Sequence, residues 1–158
     1  MSVEPPGSDE EYFERMTRAV FRAGLNRIVI EKKWPNFRRA FLDFSLKEVS
    51  NFSGKDVRSL MEEPGIVRNE RKIAATVYNA REILKLQEQF GSFKKYVDSF
   101  GSNEKGLQND LQGRFQQIGA STARMFLWSI GYPLKPNQRE QEWMARQRQR
   151  QTPSANDQ

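Results

Sequence analysis

The chain has no cysteine and no histidine. Thiolate and imidazole metal sites, disulfides, thiol nucleophiles and histidine-based proton transfer are therefore excluded. A metal would need oxygen ligands alone, and no carboxylate cluster has suitable spacing, so no metal and no cofactor are expected. Long apolar runs are absent too, as is a signal-peptide pattern. The expectation is a soluble cytoplasmic protein with no membrane contact. No stretch alternates apolar and polar residues, and no hairpin signal joins β-branched runs, which argues against strands.

What is present is aromatic and basic. Eleven Phe and three Trp in 158 residues suffice for one real core. The formal net charge is +6. An excess of this size suits a solvated face or a nucleic-acid surface. Apolar residues recur at helical spacing between Gly, Pro and capping residues. The fold class expected is all-α, a compact domain of about eight or nine helices.

Residues 1–8 (MSVEPPGS) read as a flexible start, 9–136 as the domain, and 137–158 as a basic, partly disordered tail. Asp9 is the expected cap of a first helix carrying Phe13, Met16, Val20 and Ala23. A second piece, 25–33, should turn Leu25, Ile28 and Val29 inward. Pro35 should open a third helix over Asn36–Asp43. Ser45 and the Ser53–Asp56 capping box start two short helices. Asn69 caps a long helix that Gly91 ends. Ser92–Phe100 is a further helix, and Gly101–Gly106 a loop. The tail segment 138–151 offers only Trp143 and Met144 as anchors.

The stretch LQGRFQQIGASTARMFLWSIG, residues 111–131, is the most distinctive. A polar turn ends at Ile118–Gly119, and an apolar helix follows with no charge in its first turn. Glycine there lets backbone N–H groups approach a ligand, and the helix N-terminus favours an anion such as a phosphate. On local sequence alone, a plain break between two helices is the simpler reading of the turn.

Upstream, GIVRNERKI (65–73) followed by Ala80 resembles the GxxxNxxKIxxxxxNA signature of the 3-methyladenine DNA glycosylase I family. Ala23-Gly24-Leu25, Ile28, Lys32-Lys33 and Asn36-Phe37-Arg38 resemble that family's AGLSW block. The run 40–66 and the segment 119–131 match two further blocks in order. The resemblance spans roughly Asp9 to Gly131. It implies a helix-hairpin-helix fold and a base-excision-repair activity. The reaction would be hydrolysis of the N-glycosidic bond of a flipped, alkylated base such as 3-methyladenine. The alternative is a DNA-binding protein that kept the fold and lost the pocket. The implied partner is duplex DNA with a damaged base, bound by a monomer.

By the same resemblance the hairpin lies at 116–122. Gln117, Ile118, Gly119, Ala120, Ser121 and Thr122 would face the DNA backbone, the amides of 119–121 and the hydroxyls of Ser121 or Thr122 binding phosphate. Ser121 stands where lyase-type relatives carry a catalytic Lys, so the implied activity is monofunctional. Arg68 and Lys72 either reach phosphate or are surface charges. The bend holding Ala19, Phe21, Arg22, Gly24, Leu25 and Arg27 falls where the superfamily builds its base pocket and inserts a wedge. Arg22 is the wedge candidate, or else an ordinary exposed arginine.

The departures from the family fall in that pocket. Ala19 stands at the family's pocket Glu, and Arg27 at its pocket Trp. Arg27 would repel a cationic base unless neutralised. It could instead stack on or donate to an uncharged base, hold a phosphate, or pair with an acid. The family's zinc ligands, Cys and His near the termini, are missing. The catalytic residue is left open: Glu10, Glu11, Tyr12 and Glu14 lie nearest the missing segment, and Glu140 or Glu142 would need the tail to fold back.

Overall fold

The computed structural model describes residues 3–151. Among these residues nine α-helices and no strand are found, in the order α1 (Asp9–Arg22), α2 (Arg27–Ala40), α3 (Leu46–Ser50), α4 (Gly54–Leu60), α5 (Glu70–Phe90), α6 (Phe93–Asp98), α7 (Glu104–Arg114), α8 (Ala120–Ser129) and α9 (Gln138–Gln151). Residues 1–2 of the expected flexible start, and 152–158 of the expected disordered tail, lie outside the described residues. No described helix is long and apolar enough to cross a membrane.

Local capping chemistry sets most boundaries. Ser45 accepts from the Glu48 N–H, and Ser53 and Asp56 form a reciprocal capping box. Asn69 accepts from the Lys72 N–H at 3.1 Å and opens α5. Gly91, at φ +92°, closes α5 in a conformation few other residues adopt. At α1 the cap is Ser8, not Asp9: Ser8 Oγ accepts from the Glu11 N–H at 3.2 Å. Asp9 is thereby free to accept from Gln87 Nε2 at 2.9 Å and the Phe93 N–H at 3.1 Å, tying α1 to α5 and α6. The expected loop 101–106 is shorter, because Asn103 caps α7 by accepting from the Gly106 N–H.

The second and third expected helices are one. α2 runs from Arg27 to Ala40 with Pro35 inside it. Its inward stripe is Ile30, Trp34 and Phe37, all buried, and this burial outweighs the backbone hydrogen bond that proline forgoes. The same stripe corrects the expectation for Leu25, Ile28 and Val29. Ile28 lies about 200° around the helix from Ile30. The three residues are 42%, 63% and 43% exposed.

Beyond α2, Leu42, Asp43 and Phe44 all have positive φ, a left-handed turn of three residues. Such residues cost about 1–2 kcal/mol each. The turn swings the fully buried Phe44 back under Trp34, ring centroids 5.4 Å apart and 8° from parallel. Phe37 stacks on the same indole at 5.0 Å. The core continues through Phe13, Met16, Phe21, Ile73, Ile83, Phe93 and Phe126. α1 and α5 are its central helices: α1 touches α8, α2, α3 and α6, and α5 lies against α1, α3 and α6.

Candidate functional site

The α7–α8 turn is built from two buried anchors and one clamp. Phe115 and Ile118 point into the core, leaving Gln116, Gln117 and Gly119 outside. Asn79, buried on α5, accepts from the Gln116 N–H at 2.8 Å and donates to the Gln116 carbonyl at 3.1 Å. Sequence reasoning gave Asn79 no role, although an asparagine on the apolar stripe of α5 is the kind of buried polar residue that marks a clamp. Asn79→Ala is expected to remove both bonds and cost about 2 kcal/mol. A fall of roughly 4–8 °C in thermal midpoint checks it.

The left-handed residue of this turn is Gln117, at φ +60°. Gly119 has φ −89° and ψ −172°, an extended N-cap conformation open to any residue, and no side chain caps α8. A Cβ on Gly119 would meet nothing within 4 Å. What this glycine provides is open space above the free N–H groups of α8. Ala120 and Ser121 are exposed beside it, whereas Thr122 is buried. Of the two expected hydroxyls, only that of Ser121 lies on an exposed residue.

A cavity of about 330 Å³ lies between α1, the start of α2 and the end of α8. That is the lower end of ligand-pocket sizes, ~300–1,000 Å³. Ala19, Arg22 and Arg27, expected around a base pocket, all line it. Phe21 does not: it is fully buried against Phe37, ring centroids 4.7 Å apart. Gly24, at φ +76°, and Leu25 form the exposed turn outside the cavity.

Arg22 departs from the expected free wedge, because its guanidinium pairs with Glu31. The free apolar side chain on this turn is Leu25. Lys72 is committed as well. Its Nζ donates to the Ala23 carbonyl at 2.7 Å, strapping the α1–α2 corner to α5, and burial lowers its pKa. Among the described residues Arg68 is exposed and makes no hydrogen bond or ion pair.

Sequence reasoning missed much of the remaining cavity wall, including Arg15, Arg18, Trp128, Met125 and Glu4. The signal was available on α1. Arg15, Arg18, Ala19 and Arg22 follow the i, i+3, i+4, i+7 spacing of one helical face. Trp128 is 60% exposed, an aromatic surface at the cavity edge. Arg15 donates to the carbonyls of Glu4 (2.6 Å) and Ser129 (2.7 Å), joining the N-terminal segment to α8. Arg18 lies 4.6 Å over the Trp34 ring, and burial lowers its pKa.

The acids first considered for catalysis lie elsewhere. Glu11 accepts from the Gly7 N–H, Tyr12 packs on Phe93, and Glu14 accepts from Trp34 Nε1 and Arg38. Glu140 pairs with Arg124 at 3.0 Å, which docks the start of α9 beside α8. No group of three or more described His, Cys, Asp or Glu residues could hold a metal ion. The chain has no Cys or His, so the zinc ligands that the resemblance implies are missing from it.

Residues 3–131 match the family model for methyladenine glycosylase. The chain belongs to that family. It is 29% identical over 108 residues to the DNA-3-methyladenine glycosylase of Haemophilus influenzae, covering 68% of this chain and 58% of that protein. It is 31% identical over 100 residues to DNA-3-methyladenine glycosylase 1 of Escherichia coli, covering 63% of this chain and 54% of that one. The match thus spans less than two thirds of either relative. The 3-methyladenine DNA glycosylase I structure from Staphylococcus aureus superposes with a TM-score of 0.75 at 26% identity, covering 86% of this chain and 87% of that one. For this family member the all-helical fold is shared with that structure, and Ala19 and Arg27 lie together on the cavity wall.

Proposed function

We propose that the chain is a monofunctional DNA N-glycosylase of base excision repair. It binds duplex DNA as a cytoplasmic monomer and hydrolyses the N-glycosidic bond of a flipped, damaged base, the alkylated bases of its relatives being the starting class. The observation that carries this reading is the purine-scale cavity on α8, whose Trp128 edge lies ~14 Å along the helix from Gly119. One helix would then grip the backbone at its N-terminus and border the extruded base near its other end. Gly119, Ala120 and Ser121 supply donors to phosphate, with Gln117 and Arg68 beside or near the strand. Leu25, on the exposed turn with Gly24, fills the gap the base leaves.

Of the cavity-lining side chains, Glu4 alone can accept a proton from water, and we assign it the orientation of the attacking water. Ser121 offers no amine for a Schiff base, so strand nicking is not part of the reaction. The test is direct. Incubation with methylated duplex DNA should release free methylated base and leave alkali-labile sites. Salt-dependent duplex binding with no base released from any damaged DNA would instead make the protein a non-catalytic DNA-binding member of the family.

A further inference from the structure

The cavity wall is rich in cationic side chains. Four arginines, Arg15, Arg18, Arg22 and Arg27, line it against one carboxylate, Glu4. The acids behind the wall are Glu31 and Glu14. Glu31 pairs with Arg22 and stands 3.9 Å from Arg18. Glu14 stands 3.9 Å from Arg18 but also serves Arg38 at 2.7 Å and the Trp34 indole. Arg38 also has Asp43 at 3.7 Å, so Glu31 and Glu14 are the two carboxylates facing Arg18 and Arg22, and both lie behind the wall. The Nε atoms of Arg18 and Arg22 are buried with no hydrogen-bond partner among the described residues. Arg15 is held by two carbonyls, which leave its charge uncancelled.

Arg27 is the plainest case. Among the described residues it makes no hydrogen bond or ion pair. It is the first residue of α2, and the first turn of that helix holds no acid. A cation there opposes the helix dipole, so local stability does not account for it. The helix dipole and Arg27 instead add positive potential to the same cavity.

A methylated adenine cation entering this cavity meets guanidinium groups. A base with exocyclic oxygens meets donors that match them, two N–H groups along a guanidinium edge. We propose that this cavity selects an oxo-purine, a base with acceptor oxygens and a readily ionised ring such as xanthine, over a cationic methylated adenine. This rests on the glycosylase reading of the same site and moves its substrate class.

The chemistry is consistent with that class. A cationic base leaves as a neutral molecule and needs little help. An oxo-purine leaves with negative charge. The C1′–N9 bond breaks with its electron pair passing to N9. The water oxygen bonds to C1′, and the proton that water gives up ends on the departing base. Arginine donors at the base oxygens stabilise the charge as it develops, which is where electrostatic preorganisation acts on rate. Trp128 offers the flat face on which such a base stacks.

The experiment compares free xanthine with free 3-methyladenine by calorimetric titration of the full chain near neutral pH, alongside release from duplexes carrying either base. Wild type should bind xanthine at least tenfold more tightly, with affinity falling as salt rises. Arg27→Glu should invert that order. Its far-UV spectrum and thermal midpoint should hold, since position 27 is exposed and glutamate suits a helix start. Equal or tighter binding of 3-methyladenine, no binding of either base, or an unchanged ratio in Arg27→Glu would overturn the proposal. Release of 3-methyladenine without a xanthine preference overturns it while the glycosylase reading stands. Preferential xanthine binding with no base released from either duplex supports the cavity's preference and removes the activity instead.

Discussion

Gly119→Asp is expected to weaken duplex-DNA binding by roughly 10- to 100-fold while leaving the fold as stable as before, or slightly more so. The two effects have opposite signs for one reason. Gly119 already has N-cap backbone geometry, and a Cβ there meets nothing within 4 Å. Aspartate is a preferred cap and should add a few tenths of a kcal/mol to α8. The same carboxylate occupies the place a phosphate would take and repels it. The loss equals about one charge-assisted hydrogen bond. Anisotropy titrations at fixed salt read the affinity, and a thermal melt reads the fold. Gly119→Asn, which caps without charge, should fall between. Wild-type affinity in the aspartate variant would show that the DNA backbone is held elsewhere.

Trp128→Ala should lower kcat/KM for base release by roughly 10- to 100-fold, the scale of one base stacked on an aromatic ring, ~1–3 kcal/mol. Stability should change by less than about 1 kcal/mol, because Trp128 is 60% exposed. Trp128→Phe keeps a ring and should recover most of the rate. A single-turnover base-release assay separates the two variants. If alanine releases base as fast as wild type, the cavity edge does not contact the reacting base.

The local features were readable in the residues themselves. Ser45, the Ser53–Asp56 box, Asn69 and Gly91 act within four residues of where they stand, so they predict boundaries without tertiary knowledge. The misread region lies where distant burial decides. Pro35 argues locally for a helix start, yet Trp34 stacks on both Phe37 and Phe44, and α2 runs straight through. Leu25, Ile28 and Val29 look like core residues until the register of that longer helix turns them outward. Ala19 and Arg27, singled out by the family blocks, both line the cavity. Arg15 and Arg18 escaped because charges on a helix usually mean solvent. Only the meeting of α1 with the end of α8 turns that face into a cavity.

The two hydrogen bonds that Arg15 donates to the carbonyls of Glu4 and Ser129 have one more consequence. In the pattern this chain resembles, a metal staples the segments near the two termini. Here a single guanidinium latches the leading segment to the end of α8 by peptide carbonyls, with no thiolate or imidazole involved. A latch of this kind is indifferent to chelators, oxidants and metal supply. Its weakness is of another sort: guanidinium ions in solution compete for the same carbonyls, so the back wall of the cavity should open in mild guanidinium before the aromatic core does.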